Sequence, residues 1–134
     1  MAAGKYNFTI EQGTTVDFDI AYKDSNDVAV NLSDYSGRMQ IKDKVGGNVT
    51  HITLTSYAGG SEPNDKTGLD FTQAGSGIIK IFISAHSSSL LDFNKASYDL
   101  EIASGSEFPI VTRLLQGSVT LDKEVTTFEP DLTA

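Results

Sequence analysis

Apolar and polar residues alternate with a period of two along much of the chain, starting near its beginning. Tyr6, Phe8 and Ile10 are separated by polar residues, and after a break at residues 12–13 the alternation resumes over 16–22. A period of two places side chains alternately on the two faces of a β-strand. The pattern predicts two amphipathic strands, joined either as a hairpin or by a crossover between sheets.

Similar runs recur at short intervals, separated by turns rich in Gly, Asn, Asp and Ser. They predict further strands at residues 28–32, 38–42, 49–55, 78–83, 97–102 and 108–121. Gly117 interrupts the last run and predicts a bulge there. Residues 56–77 predict a long exposed loop.

Only one segment favours a helix. It gives a single short helical turn near residues 86–92, with Ser84 or Ser87 as the N-cap. About eight short strands with one helical turn are typical of an all-β sandwich or barrel. We predict an antiparallel, Greek-key-like β-sandwich over residues 1–123, followed by an acidic C-terminal tail over 124–134. The predicted core consists of Phe8, Ile10, Phe18, Ile20, Met39, Ile41, Ile81, Tyr98, Leu100, Ile102 and Val119.

Charge narrows the range of partners. The chain has 134 residues, which suits one domain, and its ten basic and eighteen acidic residues give a net charge of −8. Nucleic acids and anionic membranes both attract clustered Lys and Arg, so we expect neither as a partner. There is no cysteine and no long apolar segment, and we expect no signal peptide and no membrane span.

The residues of potential chemical interest do not form a recognisable catalytic or metal-binding pattern. His51 and His86 are far apart and have no metal-ligand spacing. The serines after His86, close to Asp92, are better explained by a capped helical turn than by a catalytic triad. The acidic run at residues 24–27 is better explained by a polar turn than by a calcium site. We predict no catalytic, cofactor-binding or metal-binding residue, and therefore not an enzyme.

Arg113 stands out because it interrupts the apolar run of residues 108–115. If the alternation holds, its side chain faces a neighbouring strand that carries Asp99 and Glu101. We predict a salt bridge to one of these carboxylates, with a structural or interface role.

Four segments, taken in order, carry a family resemblance: residues 6–15 (YNFTIEQGTT), 30–42 (VNLSDYSGRMQIK), 98–102 (YDLEI) and 112–120 (TRLLQGSVT). They resemble small tail and baseplate-associated proteins of tailed phages. The resemblance is to the immunoglobulin-like N-terminal domain of siphophage upper baseplate proteins. It covers most of residues 6–123 but leaves out the loop 56–77.

The resemblance implies an immunoglobulin-like sandwich of about seven to nine strands. It also implies a virion structural protein, made in the host cytoplasm, with no catalytic residues. Because no receptor-binding extension follows residue 134, we expect an adaptor or ring subunit of the tail or baseplate. Two alternatives remain: a capsid decoration or head–tail neck protein, and a carbohydrate-binding module that would need exposed aromatic residues such as Tyr35 or Tyr57.

A small acidic sandwich without a catalytic site would act through its surface. Its expected partners are other virion proteins and copies of itself, arranged as a symmetric homo-oligomer within a larger assembly. Exposed strand edges could accept a neighbour's strand. The strand at residues 6–10, the loop 56–77 and the tail are the predicted contact regions. The residues singled out as interface candidates are Tyr6, Phe8, Ile10, Tyr57, Arg113 and Phe128.

Overall fold

The computed structural model describes residues 4–57, 64–105 and 108–123. This part of the chain is mostly β-strand, with the helical turn α1 (Ala85–Ser89) and a single 3-10 turn (Ala74–Ser76). The strands in chain order are β1 (Gly4–Lys5), β2 (Phe8–Glu11), β3 (Val16–Ala21), β4 (Tyr35–Lys42), β5 (Thr50–Tyr57), β6 (Gly68–Asp70), β7 (Ile78–Ile83), β8 (Lys95–Ser104) and β9 (Val111–Asp122).

The strands form one continuous, strongly curled sheet. Its order is β1–β9–β8–β4–β5–β6–β7–β3, and β2 also pairs with β9 beyond β1. β5 links the two halves because its first part pairs with β4, whereas Ser56 and Tyr57 pair with β6. The curl therefore brings β2 and β3, which pair with strands in different halves, close to each other.

The predicted all-β class is confirmed, but the predicted antiparallel arrangement is wrong at three strand pairs. β1 and β2 both run parallel to β9, and β5 runs parallel to β6. β2 does not pair with β3, because the chain changes direction at the turn after β2, where Gly13 has a φ of 82°. β2, before this turn, pairs with β9 in one half of the sheet, and β3, after it, pairs with β7 in the other half. The connection between β2 and β3 is therefore a crossover, which is the second of the two predicted connections.

Three local predictions need correction. Residues 28–32 form no strand; their backbone contributes one isolated bridge, between Lys23 and Ala29, although Leu32 is fully buried. The predicted loop 56–77 contains β6. Finally, the irregularity in β9 lies at Leu114, because Leu100 pairs with Leu115 while Glu101 pairs with Arg113.

The core forms where the inner faces of the curled sheet meet, as the alternation predicts. Most of the predicted core residues are buried, and Phe8, Phe18 and Ile20 are partly buried against them. Leu54, Leu69, Ile79 and Ile83 are also fully or almost fully buried. Burying aliphatic side chains of this size contributes roughly 1.5–3 kcal/mol each, so the core provides the main stabilisation of the sheet.

The N-terminal segment is joined to β9 at Gly117. The backbone N–H of Tyr6 donates to the carbonyl of Gln116 (3.0 Å), and the backbone N–H of Ser118 donates to Oδ1 of Asn7 (2.9 Å). A Cβ atom at Gly117 would overlap the Tyr6 carbonyl oxygen. That oxygen accepts a hydrogen bond of 2.6 Å from the hydroxyl of Tyr98. Gly117 is therefore required for the close approach of the N-terminal segment.

Aromatic rings close the gap between β2 and β3. The ring of Phe8 lies 5.3 Å from Phe18 and 5.1 Å from Tyr98, and Tyr6 lies 5.7 Å from Phe18. Such pairs contribute about 0.5–1.5 kcal/mol each beyond their buried area. At one end of the gap, Ser88 of α1 accepts from the N–H of Gly13 and donates to the carbonyl of Thr14.

We expect Gly117→Ala to destabilise the fold by about 2–4 kcal/mol, because the new methyl group must displace the Tyr6 carbonyl and break its bond with Tyr98. Gly4→Ala is the matched control. Gly4 pairs with the same strand, but its Cβ would meet only ordinary van der Waals contacts. Urea unfolding of both variants measures the difference; equal stability of the two would contradict this role of Gly117.

Candidate functional site: a polar basin beside an apolar hairpin tip

The outer face of β4, β8 and β9 forms a shallow polar depression, which we call the basin. Its volume is about 740 Å³. The N-terminal segment borders it on one side and the turn at residues 44–46 on the other. Its polar and charged lining residues are Lys5, Asn7, Gln40, Lys42, Lys44, Ser97, Asp99, Glu101, Arg113, Gln116 and Ser118, and the remainder of the lining is Val45, Gly46, Tyr98 and Gly117.

Strand register explains why these residues lie together. Lys42, Ser97 and Ser118 form one row across the three strands, and Gln40, Asp99 and Gln116 form the next. Directly opposed residues on paired strands project to the same face of a sheet. The polar residues of β4, β8 and β9 thus face the basin, and the apolar residues that alternate with them face the core.

The predicted salt bridge of Arg113 is confirmed. Its Nε lies 3.3 Å from Oδ2 of Asp99 and 3.8 Å from Oε2 of Glu101. The Arg113 side chain is 51% exposed, so the pairs contribute no more than about 1 kcal/mol to folding. Arg113 thus has a neutralised but accessible side chain at the rim of the basin.

Three lysines of the basin lie farther from carboxylates. In the described part of the chain, Lys5, Lys42 and Lys44 have no acidic group within 4.0 Å. From the sequence, Lys42 and Lys44 together with Arg38 are interpreted as a solvated face, and Lys5 is too far along the chain to be grouped with them. Only the parallel pairing of Lys5 with Gln116 brings it to this face.

Tyr98 belongs to the core and is 4% exposed. Burial, and next the proximity of Tyr6, raises the pKa of Tyr98 to about 12. Its hydroxyl therefore stays protonated at neutral pH and serves as the donor to the Tyr6 carbonyl. This makes Tyr98 a structural hydroxyl and not an acid–base group.

The hairpin between β8 and β9 carries an exposed apolar cluster, which we call the tip: Phe108, Ile110 and Val111. Their exposed fractions are 84%, 70% and 56%. Val111 and Arg113 are two residues apart on the same strand, so they project to the same side. Through Val111, the tip therefore adjoins the rim of the basin.

The interface candidates from the sequence occupy different environments. Tyr6 is 47% exposed, and Phe8 is partly buried against the core. Ile10 is completely buried in the chain's own core, so its side chain cannot reach a partner. Tyr57 is partly buried and its hydroxyl donates to the carbonyl of Lys66. Phe128, with the whole tail 124–134, lies outside the described residues.

The two histidines lie in different environments. The ring of His51 stacks on Phe93 at 4.6 Å, whereas His86 lies in α1. Within residues 4–57, 64–105 and 108–123, no three His, Asp or Glu side chains are placed to hold a metal ion. The same ranges contain no helix long and apolar enough to cross a membrane.

The serines around α1 instead converge on one carboxylate, Asp65. Its Oδ2 accepts from the hydroxyls of Ser84 and Ser87, both at 2.7 Å, and from Thr67 at 3.0 Å. Ser84 is also the N-cap of α1, accepting from the N–H of Ser87, which confirms one of the two predicted caps. The hydrogen bond from Ser84, followed by those from Ser87 and Thr67, lowers the pKa of Asp65 well below its usual range despite an opposing effect of burial.

Comparison with known proteins adds little. No protein-family model and no curated protein matches the chain. One chain of the solved structure described as "Structural basis of T cell specificity and activation by the bacterial superantigen toxic shock syndrome toxin-1" is similar at 10% identity with a TM-score of 0.48. The match covers 88% of this chain and 92% of that one. This likeness is too distant to carry a conclusion about function.

We expect Asp65→Asn to destabilise the protein by about 1–3 kcal/mol at pH 7, because three hydroxyl donors lose a charged acceptor. The pKa of Asp65 is lower in the folded chain than in the unfolded one. Its stabilisation is therefore complete above pH about 4 and is lost as the pH falls further. Urea unfolding at neutral and acidic pH should show the two proteins converging in acid.

Asp92→Asn is the control for this experiment. Asp92 is 83% exposed and pairs with Lys123 at 3.0 Å, and surface pairs of this kind contribute little. A stability loss in Asp92→Asn as large as that in Asp65→Asn would show that the hydrogen bonds to Asp65 contribute no more to folding stability than a surface ion pair.

Proposed function

We propose that this chain is a structural subunit of a phage particle, an adaptor or ring subunit of the tail or baseplate that acts through protein–protein contacts. The observation that carries the proposal is the tip. Single exposed apolar residues are common on protein surfaces, but a contiguous group marks an interaction site. Phe108, Ile110 and Val111 place three exposed apolar side chains within four positions of the chain.

The strand order supports an immunoglobulin-like sandwich as the finer description of the fold. In variable-type immunoglobulin domains, strands C′, C, F and G form one layer, and B, E and D form the other. If β3 to β9 are taken as B, C, C′, D, E, F and G, the order β9–β8–β4–β5 and the order β6–β7–β3 reproduce these two layers. The same domain type is implied by the phage resemblance.

The segments that carry the phage resemblance also occupy coherent positions. Residues 6–15 cover β2 and the turn after it, and residues 30–42 include all of β4. Residues 98–102 and 112–120 pair with each other as β8 and β9. All four segments thus contribute residues to the basin or its border, which supports contacts on this side of the domain. The partners we propose are other virion proteins and further copies of the chain.

We expect the chain to be present in purified particles of the phage or prophage that encodes it, at a fixed copy number. Quantitative mass spectrometry of those particles measures this, and cryo-electron microscopy then distinguishes a tail or baseplate position from a capsid or neck position. Absence from purified particles would refute the proposal. A position on the capsid or neck would refute the tail assignment while keeping the structural role.

We further expect Ile110→Ser/Val111→Thr to lower the copy number per particle at least about tenfold, because the apolar anchor of the contact is removed. The change should alter folding stability by no more than about 0.5 kcal/mol. Leu90→Ser is the matched control, since Leu90 and Ile110 are both 70% exposed. Normal incorporation of the tip variant would exclude the tip as the contact.

Arg113→Ala tests whether the rim of the basin takes part in the same contact. We expect a stability change below about 1 kcal/mol, because the ion pairs are half exposed, but reduced incorporation into particles. Lys123→Ala is the matched control, because Lys123 is 48% exposed and also forms a surface ion pair. If Arg113→Ala changed neither folding nor incorporation, Arg113 would have no interface role.

A further inference from the structure

We infer that the basin of one copy of the chain binds the outer face of β3, β6 and β7 of the next copy, so that copies associate head to tail. The inference deepens the proposed function, because it identifies the two surfaces that would join ring subunits. Its placement in a particle rests on that function, whereas the contact itself can be tested with the isolated chain.

The basin is a basic surface on an acidic protein. It contains four basic side chains and two acidic ones, and both acidic ones already pair with Arg113. The four basic and two acidic side chains give the basin a net charge of +2 on a chain whose net charge is −8. A partner that covers the basin gains most if it is acidic.

The outer face of β3, β6 and β7 has the opposite character. Asp19, Lys80 and Asp70 lie in one row across the three strands, and Asp17 lies on the same face with its Oδ1 at 4.0 Å from Nζ of Lys80. Three carboxylates thus share this face with a single ammonium group. Phe82, which pairs with Asp17, is partly buried on this face and adds apolar area next to the charges.

The two faces point in opposite directions. The inner sides of β4, β8 and β9 and of β3 and β7 pack together in one core, so their outer sides face away from each other. A two-fold dimer joins identical patches, whereas a contact between different patches repeats from copy to copy and produces a ring or a filament. Contact between the basin and the acidic face is therefore heterologous.

A second copy explains more than a small anion would. A bound anion would account for the lysines of the basin but not for the acidic face on the other side. The tip also adjoins the basin through Val111, which lies on the same side as Arg113, so a protein that covers the basin can bury Val111 as well. An apolar anchor with a charged surround is the usual composition of a protein interface.

Charge reversal of each face tests the inference. We expect the full-length chain to self-associate in sedimentation equilibrium experiments and to dissociate when salt is raised from about 0.05 M to about 0.5 M. Lys42→Glu/Lys44→Glu and Asp17→Lys/Asp19→Lys should each raise the dissociation constant at least about tenfold. In either variant alone, both faces have the same sign of charge.

An equimolar mixture of the two variants gives the sharpest result. Each contact in the mixture again joins a basic face to an acidic one, so association should return to within about threefold of the wild type. Lys66→Glu/Lys123→Glu is the control for Lys42→Glu/Lys44→Glu. It makes the same change of charge at two exposed positions outside both faces. Circular dichroism establishes that each variant is folded.

A monomeric wild-type chain at all concentrations, or association that neither Lys42→Glu/Lys44→Glu nor salt weakens, would overturn the inference. So would a mixture that does not restore association, or a control that weakens it equally. These outcomes leave the particle experiments unaffected. Conversely, head-to-tail association of a chain that is absent from particles would uphold this contact and refute the proposed function.

Discussion

The close contact of the N-terminal segment with β9 is the constraint on which the rest of the structure depends. Gly117 leaves room for the Tyr6 carbonyl, and the hydroxyl of Tyr98 satisfies that oxygen from the next strand. Two consequences follow. Phe8 is brought against Phe18, which closes the curl of the sheet. Lys5 is brought to the border of the basin. The same contact thus links core stability to the composition of the candidate binding surface.

The sequence predicted those features that depend on neighbouring residues or on strand alternation. Met39 and Leu100 are buried because apolar positions of period two share a face, and Arg113 meets Asp99 because the polar positions share the other. It did not predict the parallel pairing of β2 with β9, since parallel partners are distant in sequence and have no turn signal between them. Gly117 was predicted as a bulge, because a glycine within a strand also accompanies a bulge.

The candidate site also contains some features that strand alternation predicts and others that it does not. The row of Gln40, Asp99 and Gln116 follows from alternation once the strands are paired. The convergence of Ser84 and Ser87 on Asp65 does not, because Asp65 lies in a predicted loop about twenty residues earlier. The structure gives the serines near His86 structural roles: Ser84 and Ser87 bind α1 to Asp65. Ser88 binds α1 to the turn between β2 and β3.

The parallel pairing of the first strands with the last one has a mechanical consequence. When the two ends of the described chain are pulled apart, β2 and β9 are drawn past each other along their length, because parallel neighbours enter and leave the pair at opposite ends. The hydrogen bonds between them are then strained together and not broken one after another. Tension between the two ends of the described chain is consequently borne by all the hydrogen bonds between β2 and β9 together, before either strand detaches.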